Sequence, residues 1–340
     1  MTLELLVLGL GKRVKECALP AVVAAGDAVR VRGIFARTAR TETAAGESHE
    51  VRALEDLTQA DLTGGPTVYL CVPKQAIPQV LARLAELDPS GCRLLIDTPV
   101  VRLRDFRAVK TLQAWRSVSV AEDCARLPWI PAVHALEQDL GPLQAVAFEH
   151  AAYAYHGVAT GRALAGGGEL DRAQRQRAEG GSLRTLHYER GLEVEVLDPR
   201  DYATGRVLAR YERGLASDRP LRHEDCTALE PELDAAGRVV AIRAGSHRLA
   251  LTEAEASLTV GSPENHTLVQ RQEAMKRVGF LRLLHELAAG EPGYELMDGL
   301  EDMVADHLLE RLGRYRSSPW TSPRSALARG LFSLASRLGG

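Results

Sequence analysis

The chain has 340 residues, a length that predicts about two domains. Its residues are 45% hydrophobic and 26% charged, which is an ordinary balance for a globular protein that buries a core. The net charge of −3 gives no general reason to expect nucleic acid or an anionic membrane as a partner.

Five cysteines are present, an odd number at wide spacing and without a CxxC pair. This usage predicts reduced thiols in a cytoplasmic protein rather than a disulfide framework or a zinc site. No basic segment precedes the apolar run at the N-terminus, so we expect no signal peptide. No run of about 18 apolar residues occurs, so no transmembrane helix is predicted.

Strand-like and helix-like segments alternate over roughly the first 125 residues. Strands are predicted at Leu3–Leu8, 28–36, 67–72, 93–96 and 117–120, with helices at 12–26, 75–87 and 104–115. This alternation is typical of a doubly wound parallel sheet. The predicted fold class is therefore α/β, with a Rossmann dinucleotide-binding domain at residues 1–125.

The pattern changes to a period of two after about residue 130. Strands are predicted at 144–149, 183–190, 192–197, Arg206–Tyr211, Val239–Ala244, 248–252 and 256–260. Short turns join them, which favours an open, mostly antiparallel sheet. Helices are predicted at 130–138, 266–289, 296–314 and Ala326–Leu338, and a mobile loop between 166–168 and 180–181. Residues 126–340 are thus predicted to form an α+β domain for substrate binding and oligomerisation.

A glycine turn, Gly9-Leu10-Gly11, follows the first strand and precedes the first helix. In this position the backbone N–H groups of a turn and the N-terminus of a helix receive the pyrophosphate of a dinucleotide. Val14 stands where a full fingerprint has its third glycine. We predict dinucleotide binding here; the alternative is a Rossmann-like fold that has lost its ligand.

The end of the second strand discriminates between cofactors. An acidic residue there would bind both ribose hydroxyls of NAD. This chain instead has Ala36, Arg37 and Thr38, with Arg40 close behind. An arginine pairs with a 2′-phosphate that a carboxylate would repel. The segment therefore favours NADP over NAD; the alternative is an arginine pair on a surface turn.

Taken together, these motifs resemble the glucose–fructose oxidoreductase and inositol dehydrogenase group of two-domain NAD(P) enzymes. The resemblance covers nearly the whole chain. It continues through Cys71-Val72-Pro73, Asp97-Thr98-Pro99, Ala121-Glu122-Asp123 with Arg126 and Pro131, the turn at 139–143, and His156 followed by Gly166. It implies a homo-oligomer, and cofactor contacts from Gly9, Leu10, Gly11, Lys12, Arg13, Ala36, Arg37, Thr38, Val72, Pro73, Asp97, Thr98, Pro99 and Glu122.

Two positions depart from the pattern of that family. Its strand five ends in Glu-Lys-Pro, where the lysine serves substrate and proton transfer, but here Thr98 occupies the lysine position. Its helix carries an aspartate four residues before a histidine, whereas here Ala152 precedes His156. A threonine cannot supply the cation that polarises a carbonyl or takes up an alcohol proton near neutral pH.

Four residues are candidates for the missing chemistry. His156 titrates in a useful range, and the alternative is a hydrogen-bonded core histidine. Tyr153 and Tyr155 are candidate proton donors or, equally, packing residues. Lys74 follows the fourth predicted strand and is a candidate for the nicotinamide side, or else a solvated loop lysine. Glu149, His150 and His156 lack metal-ligand spacing, so no metal is predicted.

Two functions of different class remain open at this point. The first is an NADP-dependent oxidoreductase that reduces a small carbonyl or imine; an imine fits the lost lysine better because it needs less help to become electrophilic. The second is a catalytically inactive cofactor-binding regulatory or scaffold protein that holds a partner enzyme. A third, less supported, is a non-redox enzyme with Asp97 and His156 as acid and base.

The C-terminal segment is basic and amphipathic. From residue 311 onward it has six arginines and no acidic residue. Ser325 precedes a predicted helix with one apolar side. The helix is a candidate docking surface for a protein partner; the alternative is that it packs on its own fold with its arginines outward.

Overall fold

The computed structural model describes residues 2–152, 154–219, 225–262 and 264–338. It divides into two compact units. The first contains the chain up to Glu122, Phe280–Val304 and the segment from Ser322 onward; the second contains Asp123–Gly279 and Ala305–Thr321. The chain therefore returns to the first unit twice, which differs from the single crossing expected after residue 125. Amphipathic periodicity identifies a helix but does not say which sheet it covers.

The first unit is built on an eight-stranded sheet. Its strands are β1 (Leu3–Leu8), β2 (Val29–Ala36), β3 (Arg40–Ala44), β4 (Glu47–Ala53), β5 (Thr67–Leu70), β6 (Arg93–Asp97), β7 (Ser117–Ala121) and β17 (Tyr294–Glu295). Their order is β17-β7-β6-β5-β1-β2-β4-β3. All neighbours are parallel except the two edge strands, β17 and β3. The doubly wound parallel sheet predicted from the sequence is confirmed.

The helices of the first unit largely follow the prediction. They are α1 (Leu19–Ala25), α2 (Gln59–Leu62), α3 (Ile77–Ala85) and α10 (Ala326–Leu338), with a 3-10 helix at Leu103–Ala114. The helix predicted at 12–26 begins with a π-helical segment, Val14–Ala18, and becomes α-helical at Leu19. Pro20 explains the position of the change, because a proline without an N–H is tolerated in the first turn of an α-helix.

A hairpin occupies the place where strand–helix alternation would put a crossover helix. β3 and β4 are antiparallel neighbours joined at Ala45 and Gly46, both with positive φ. β4 then pairs with β2 in parallel. Neither strand was predicted, because both are rich in polar and charged residues and β3 lies at the sheet edge.

The second unit contains a ten-stranded sheet. Its strands are β8 (Leu143–Glu149), β9 (Leu170–Ala178), β10 (Gly181–Tyr188), β11 (Glu193–Asp198), β12 (Arg206–Tyr211), β13 (Gly214–Ser217), β14 (Thr227–Leu233), β15 (Val239–Ala244), β16 (His247–Ala250) and β18 (Arg314–Arg316). Their order is β16-β15-β14-β13-β12-β8-β11-β10-β9-β18. Only the β8–β11 and β13–β14 pairs are parallel among these neighbours. The mostly antiparallel sheet is therefore confirmed.

Two local predictions in this unit are wrong. The predicted mobile loop between 166–168 and 180–181 is β9, paired along its length with β10. The predicted strand at 256–260 overlaps helix α7 (Glu253–Ser257). There the Thr252 hydroxyl accepts from the N–H of Glu255, while the Glu255 carboxylate accepts from the N–H of Thr252. This capping box starts a helix where the apolar pattern alone suggested a strand.

The remaining helices are α4 (Ile130–Ala135), α5 (Glu137–Leu140), α6 (Ala154–Leu164), α8 (Gln272–Ala289) and α9 (Leu296–Leu312). Two glycines let α6 lie close to the second sheet. A Cβ at Gly157 would lie 2.6 Å from a methyl of Val196, and one at Gly161 would lie 2.6 Å from the hydroxyl of Tyr188. Among the described helices, none is long and apolar enough to cross a membrane.

Candidate functional site

The two glycines of the N-terminal turn have different physical roles. Gly9 has φ +105°, and a Cβ there would lie 2.0 Å from the carbonyl oxygen of Cys71. Gly9 is therefore required by the fold itself, with or without a ligand. A Cβ at Gly11 would meet no atom within 4 Å. The space beside Gly11 is open, so a ligand can approach the backbone there.

The carboxyl end of β6 carries an ion cluster centred on Asp97. The Arg13 Nε lies 3.6 Å from one carboxylate oxygen, and the Lys74 Nζ lies 3.7 Å from the other. Lys74 also donates to the backbone carbonyl of Asp97 at 3.1 Å. Tyr69 and Cys71 donate to the same carboxylate, each at 3.4 Å. Asp97 is thus engaged by two cations at the edge where parallel strands present their ligands.

Burial changes the protonation of the groups around Asp97. It raises the pKa of the Cys71 thiol to about 12, helped by the neighbouring Asp97 charge, so this cysteine stays a thiol near neutral pH. Burial also lowers the pKa of Lys74, an effect that Asp97 partly opposes. Lys74 is therefore not the solvated loop lysine of the alternative interpretation, since its side chain is 24% exposed and held against β6.

Lys74 also lies near the position at which the resembled family has a lysine. Its ammonium lies against the carbonyl of Asp97, the residue immediately before Thr98. A cation from the loop after β5 therefore reaches the strand end that, in the resembled family, carries a lysine of its own.

The two arginines after the end of β2 differ in their contacts with other side chains. Arg37, Thr38 and Arg40 are all exposed. Arg40 pairs with Glu42 at 2.9 Å and donates to the carbonyl of Thr38. Glu42 also pairs with Lys15 at 3.3 Å. Arg37 makes no hydrogen bond or ion pair with any residue that the structure describes, so its guanidinium is available to an anion.

The other predicted cofactor residues lie at or near the same ends of the parallel strands, and their contacts with a cofactor stay predictions. Lys12 is exposed and pairs with Glu16 at 3.6 Å, while Arg13 turns to Asp97. The rest are placed by the glycine turn or by the ends of β2, β5, β6 and β7: Leu10, Ala36, Val72, Pro73, Thr98, Pro99 and Glu122.

In the second unit, half-buried His156 belongs to a cluster with buried Asp123 and Cys124 that sequence reasoning missed. Metal-ligating atoms of Asp123, Cys124 and His156 lie within 4.8 Å of one another. Helix α6 is fixed there by Thr160, whose hydroxyl lies 2.8 Å from the carbonyl of His156 and 3.2 Å from that of Cys124. Asp123 thus supplies a carboxylate near His156, whereas Ala152, which stands where the resembled family has an aspartate, has none.

Helix α8 brings a lysine to this cluster. Lys276 is 7% exposed and lies close enough to interact electrostatically with Cys124 and Asp123. Burial lowers the pKa of Lys276, but its electrostatic interactions with the neighbouring Cys124, Tyr202, Asp123 and Glu273 outweigh burial and raise the pKa overall. Lys276 therefore remains an ammonium at neutral pH.

The ammonium of Lys276 lies beside side chains that could bind a metal ion. Aspartate, cysteine and histidine are suitable ligands for a transition-metal ion. Lys276 supplies positive charge beside them.

One signal in the sequence pointed to this approach of α8. Gly279 lies inside a predicted helix, where glycine costs about 1 kcal/mol relative to alanine. A Cβ at Gly279 would lie 2.3 Å from the carbonyl oxygen of Asp123, so only glycine allows the helix to pass so close. An interior glycine of this kind marks a close backbone approach.

Of the two candidate tyrosines, the structure describes only Tyr155. Tyr153 lies outside the described residues. The half-buried ring of Tyr155 packs edge-on against that of His156, with centroids 5.6 Å apart and an interplanar angle of 84°.

Glu149 and His150 make contacts away from His156. Glu149 pairs with Arg206 at 2.7 Å, and the His150 Nδ1 lies 2.6 Å from the carbonyl of Pro199.

The C-terminal helix α10 packs on its own unit and also presents an apolar stripe. Phe332 meets Phe106 edge-on at 5.2 Å, which seats the helix against Leu103–Ala114. Leu327, Leu331 and Leu334 are 52%, 43% and 52% exposed. The packing interpretation accounts for one face, and a protein partner for the other stays a prediction.

Comparison with known proteins bears on the fold. No family model matches the chain, and no curated protein sequence matches it significantly. Among solved structures, an oxidoreductase from Thermotoga maritima is 13% identical, with a TM-score of 0.59 over 93% of this chain and 98% of its own. An oxidoreductase from Agrobacterium radiobacter, in complex with NAD⁺, L-tartaric acid and magnesium, is 14% identical with a TM-score of 0.57 and the same coverage.

A third structure is an inositol dehydrogenase homolog from Azotobacter vinelandii, in complex with NADH and myo-inositol. It is 12% identical, with a TM-score of 0.55 over 93% of this chain and 98% of its own. These likenesses show the fold. The resemblance first inferred from short motifs is confirmed at that level, and the low identity is consistent with a divergent chain.

Proposed function

We propose that this protein is an NADP-dependent oxidoreductase that transfers a hydride to a small carbonyl or imine. The observation that carries the proposal is the exposed, unengaged guanidinium of Arg37 at the end of β2, among the residues that the structure describes. No carboxylate follows the strand at 37–40, where an NAD-binding site would have one. Solved structures with this fold contain NAD⁺ or NADH, which supports a nicotinamide cofactor.

The residues around the glycine turn fit such a cofactor. Open space beside Gly11 leaves room for a pyrophosphate, and Arg37 with Thr38 supplies donors for a 2′-phosphate. When bound, the cofactor would supply the hydride. The residues of this chain would bind it, orient it and handle the proton.

Lys74 supports the reaction by restoring a cation at the end of β6. Its ammonium lies 3.1 Å from the Asp97 carbonyl, next to the position where the family has its lysine. Burial lowers the pKa of Lys74, which brings its proton nearer to the range in which a general acid works. The lysine would thus help to polarise a carbonyl or protonate the product.

The proposal is tested by calorimetric titration of Arg37→Glu with NADPH and with NADH. We expect about a 10- to 100-fold loss of NADPH affinity and little change for NADH, because one charge-assisted contact with the 2′-phosphate contributes about 1.5–3 kcal/mol. Arg104→Glu, an exposed arginine in Leu103–Ala114, is the matched control for added negative charge. Equal losses for both cofactors would refute the phosphate contact.

A second candidate function is a cofactor-binding regulatory or scaffold protein without turnover. The exposed stripe of Leu327, Leu331 and Leu334 favours it, because contiguous exposed apolar side chains mark a binding surface. NADPH binding without reduction of any aldehyde, ketone or imine in a broad panel would support this function. Measurable turnover would contradict it.

A further inference from the structure

One face of the first unit carries exposed leucines on helix α10. This helix packs against the 3-10 helix Leu103–Ala114, and the edge-on contact of Phe332 with Phe106 joins the two within that unit. Phe332 and Ala328, one turn apart on α10, are buried against the unit. Another side of α10 carries three exposed side chains, here called the leucine stripe: Leu327, Leu331 and Leu334. The helix therefore has more apolar surface than its own unit covers.

The neighbouring 3-10 helix carries three exposed cations at intervals of three residues, here called the cationic row: Arg104, Arg107 and Lys110. Side chains three residues apart eclipse one another in a 3-10 helix, so the row lies along one side of it. The acidic residue of this helix, Asp105, pairs with Arg102. None of the three cations forms an ion pair with a residue that the structure describes. Like charges one turn apart repel each other, and an anionic partner would relieve that repulsion.

A cavity of about 430 Å³ lies between the two helices. Its walls combine apolar and cationic side chains, and no acidic residue of the described chain lines it: Phe106, Val109 and Leu334 with Lys110, Arg329 and Arg337. Arg329 donates from Nη1 to the carbonyls of Pro323 and Arg324, at 2.9 and 2.7 Å. Lys110 and Arg337 are exposed, and neither has an ion pair within the described residues.

The cavity suits an amphiphilic anion. Its volume lies in the range of small-molecule pockets, about 300–1,000 Å³. Arginine and lysine bind phosphate oxygens, while the apolar walls can contact the hydrocarbon part of the same ligand. Leu334 belongs both to the cavity wall and to the leucine stripe, so the cations begin where the stripe ends. A phospholipid has its phosphate and its acyl chains in this order.

The distribution of charge favours a lipid surface over a protein as the partner of this face. Helices that lie in the plane of a membrane have leucines on one face and lysine or arginine along its borders. There the long cationic side chains reach the lipid phosphates while their stems cover apolar surface. Charged side chains are instead depleted from the centres of protein–protein interfaces. An anionic bilayer also presents many negative charges at once, which matches the cationic row and the cavity together.

We propose that this face of the first unit binds the surface of a bilayer that contains anionic phospholipids. The leucine stripe enters the boundary between headgroups and acyl chains. The cavity receives the phosphate of one lipid beside Lys110 and Arg337, and the cationic row adds attraction to the surrounding headgroups. This contact is peripheral, and it requires neither the cofactor nor the proposed reaction.

The first arm of the test is flotation of the whole chain with lipid vesicles. Vesicles of phosphatidylcholine alone are compared with vesicles that also contain about 30% phosphatidylglycerol, an anionic lipid. We expect binding to the anionic vesicles only. Most of it should be lost when NaCl is raised from about 0.1 M to about 1 M, because the Debye length falls from about 10 Å to about 3 Å. Equal binding to both kinds of vesicle would overturn the proposal.

The second arm removes two cations of the cavity. Lys110→Gln combined with Arg337→Gln should weaken binding to anionic vesicles by about 20- to 30-fold, since each cation near such a surface contributes about a fivefold gain in affinity. Arg172→Gln combined with Arg177→Gln is the matched control, because it removes two exposed cations from β9 and leaves the same net charge. Equal losses in the two double variants would show that binding follows net charge alone, which would overturn the site.

The third arm replaces the leucine stripe by Leu327→Gln, Leu331→Gln and Leu334→Gln together. Binding should weaken by about 100-fold or more, because three apolar side chains no longer leave water. All three are exposed, so urea unfolding should match that of the wild type. Full binding by this variant would show an anion site without insertion, and the bilayer proposal would be wrong. It would be equally wrong if the wild type ignored anionic vesicles at low salt, a result that would leave the stripe to a protein partner.

Discussion

At the scale of single residues, glycine and arginine show how similar sequence signals have different causes. Gly9 and Gly11 belong to one sequence motif. A side chain at Gly9 would clash with the backbone of Cys71, whereas Gly11 faces open space. In the sequence, Arg37 and Arg40 form one basic pair. In the structure, Arg40 forms an ion pair with Glu42, whereas Arg37 is available to an anion. In both pairs, the tertiary contacts separate a structural residue from a candidate ligand contact.

This difference predicts that alanine at Gly9 impairs folding, whereas alanine at Gly11 impairs ligand binding. Gly9→Ala should lower the free energy of unfolding by about 3 kcal/mol or more, because positive φ and an overlap with backbone cannot both relax. Gly11→Ala should change it by less than about 0.5 kcal/mol while weakening NADPH binding, because the methyl group enters the space left for the pyrophosphate. Urea unfolding and calorimetry of both variants measure these effects. A stable Gly9→Ala protein would contradict the steric argument.

At the scale of elements, short helices depend on their caps. The four-residue helix α2 has a capping box in which the Asp61 carboxylate accepts from the N–H of Thr58 at 2.9 Å. Arg52 from β4 donates to the same carboxylate at 2.6 Å. Burial raises the pKa of Asp61, but the bonds from Thr58 and Arg52 outweigh it, so the pKa lies below its ordinary value. This carboxylate joins a helix that is too short to be stable alone to its neighbouring strand.

The shifted pKa of Asp61 predicts a pH-dependent contribution to stability. A carboxyl group with a lowered pKa stabilises the folded state above its ordinary pKa, and this contribution is lost as pH falls through the folded-state pKa. Asp61→Asn should therefore cost about 1 kcal/mol at pH 7 and progressively less as pH falls below about 4.

Thermal unfolding followed by circular dichroism at several pH values measures this difference. Asp56→Asn is the control, because Asp56 is an exposed acid in the segment just before α2. A cost for Asp61→Asn that stays constant between pH 7 and pH 3 would show that the charge is not the source of the stabilisation.

At the scale of the whole molecule, the chain supplies two compact units and passes between them more than once. The second unit contains a ten-stranded open sheet. In the resembled family such a sheet forms a subunit interface, and we expect a homo-oligomer here too.

The assembly state is measured by light scattering coupled to size-exclusion chromatography. We expect a mass of at least twice the 36.9 kDa of one chain. Since assembly depends on concentration, the experiment is run over a wide range of it. A single-chain mass at every concentration would contradict the prediction.

Much of the fold followed from local patterns in the sequence. Buried parallel strands such as Leu3–Leu8 are short and continuously apolar, and the strand–glycine–helix order at Gly9 has few structural alternatives. The predictions that were wrong lie where polar side chains occupy strands, as in β3, β4 and β9, or where a capping box starts α7. In those segments hydrogen bonding to distant residues outweighs the local hydrophobic pattern.

By itself, the sequence determined the two-domain α/β architecture, the open, mostly antiparallel second sheet, and the two positions, Thr98 and Ala152, at which the chain differs from the family that it resembles. Only the tertiary structure decided which polar side chains lie together. It places Lys74 at the end of β6, Asp123 beside His156, and Lys276 with Arg200 around Tyr202. The reason is physical. A periodic pattern reports the environment of each residue, whereas a charged site is formed by residues that only the packed chain brings together.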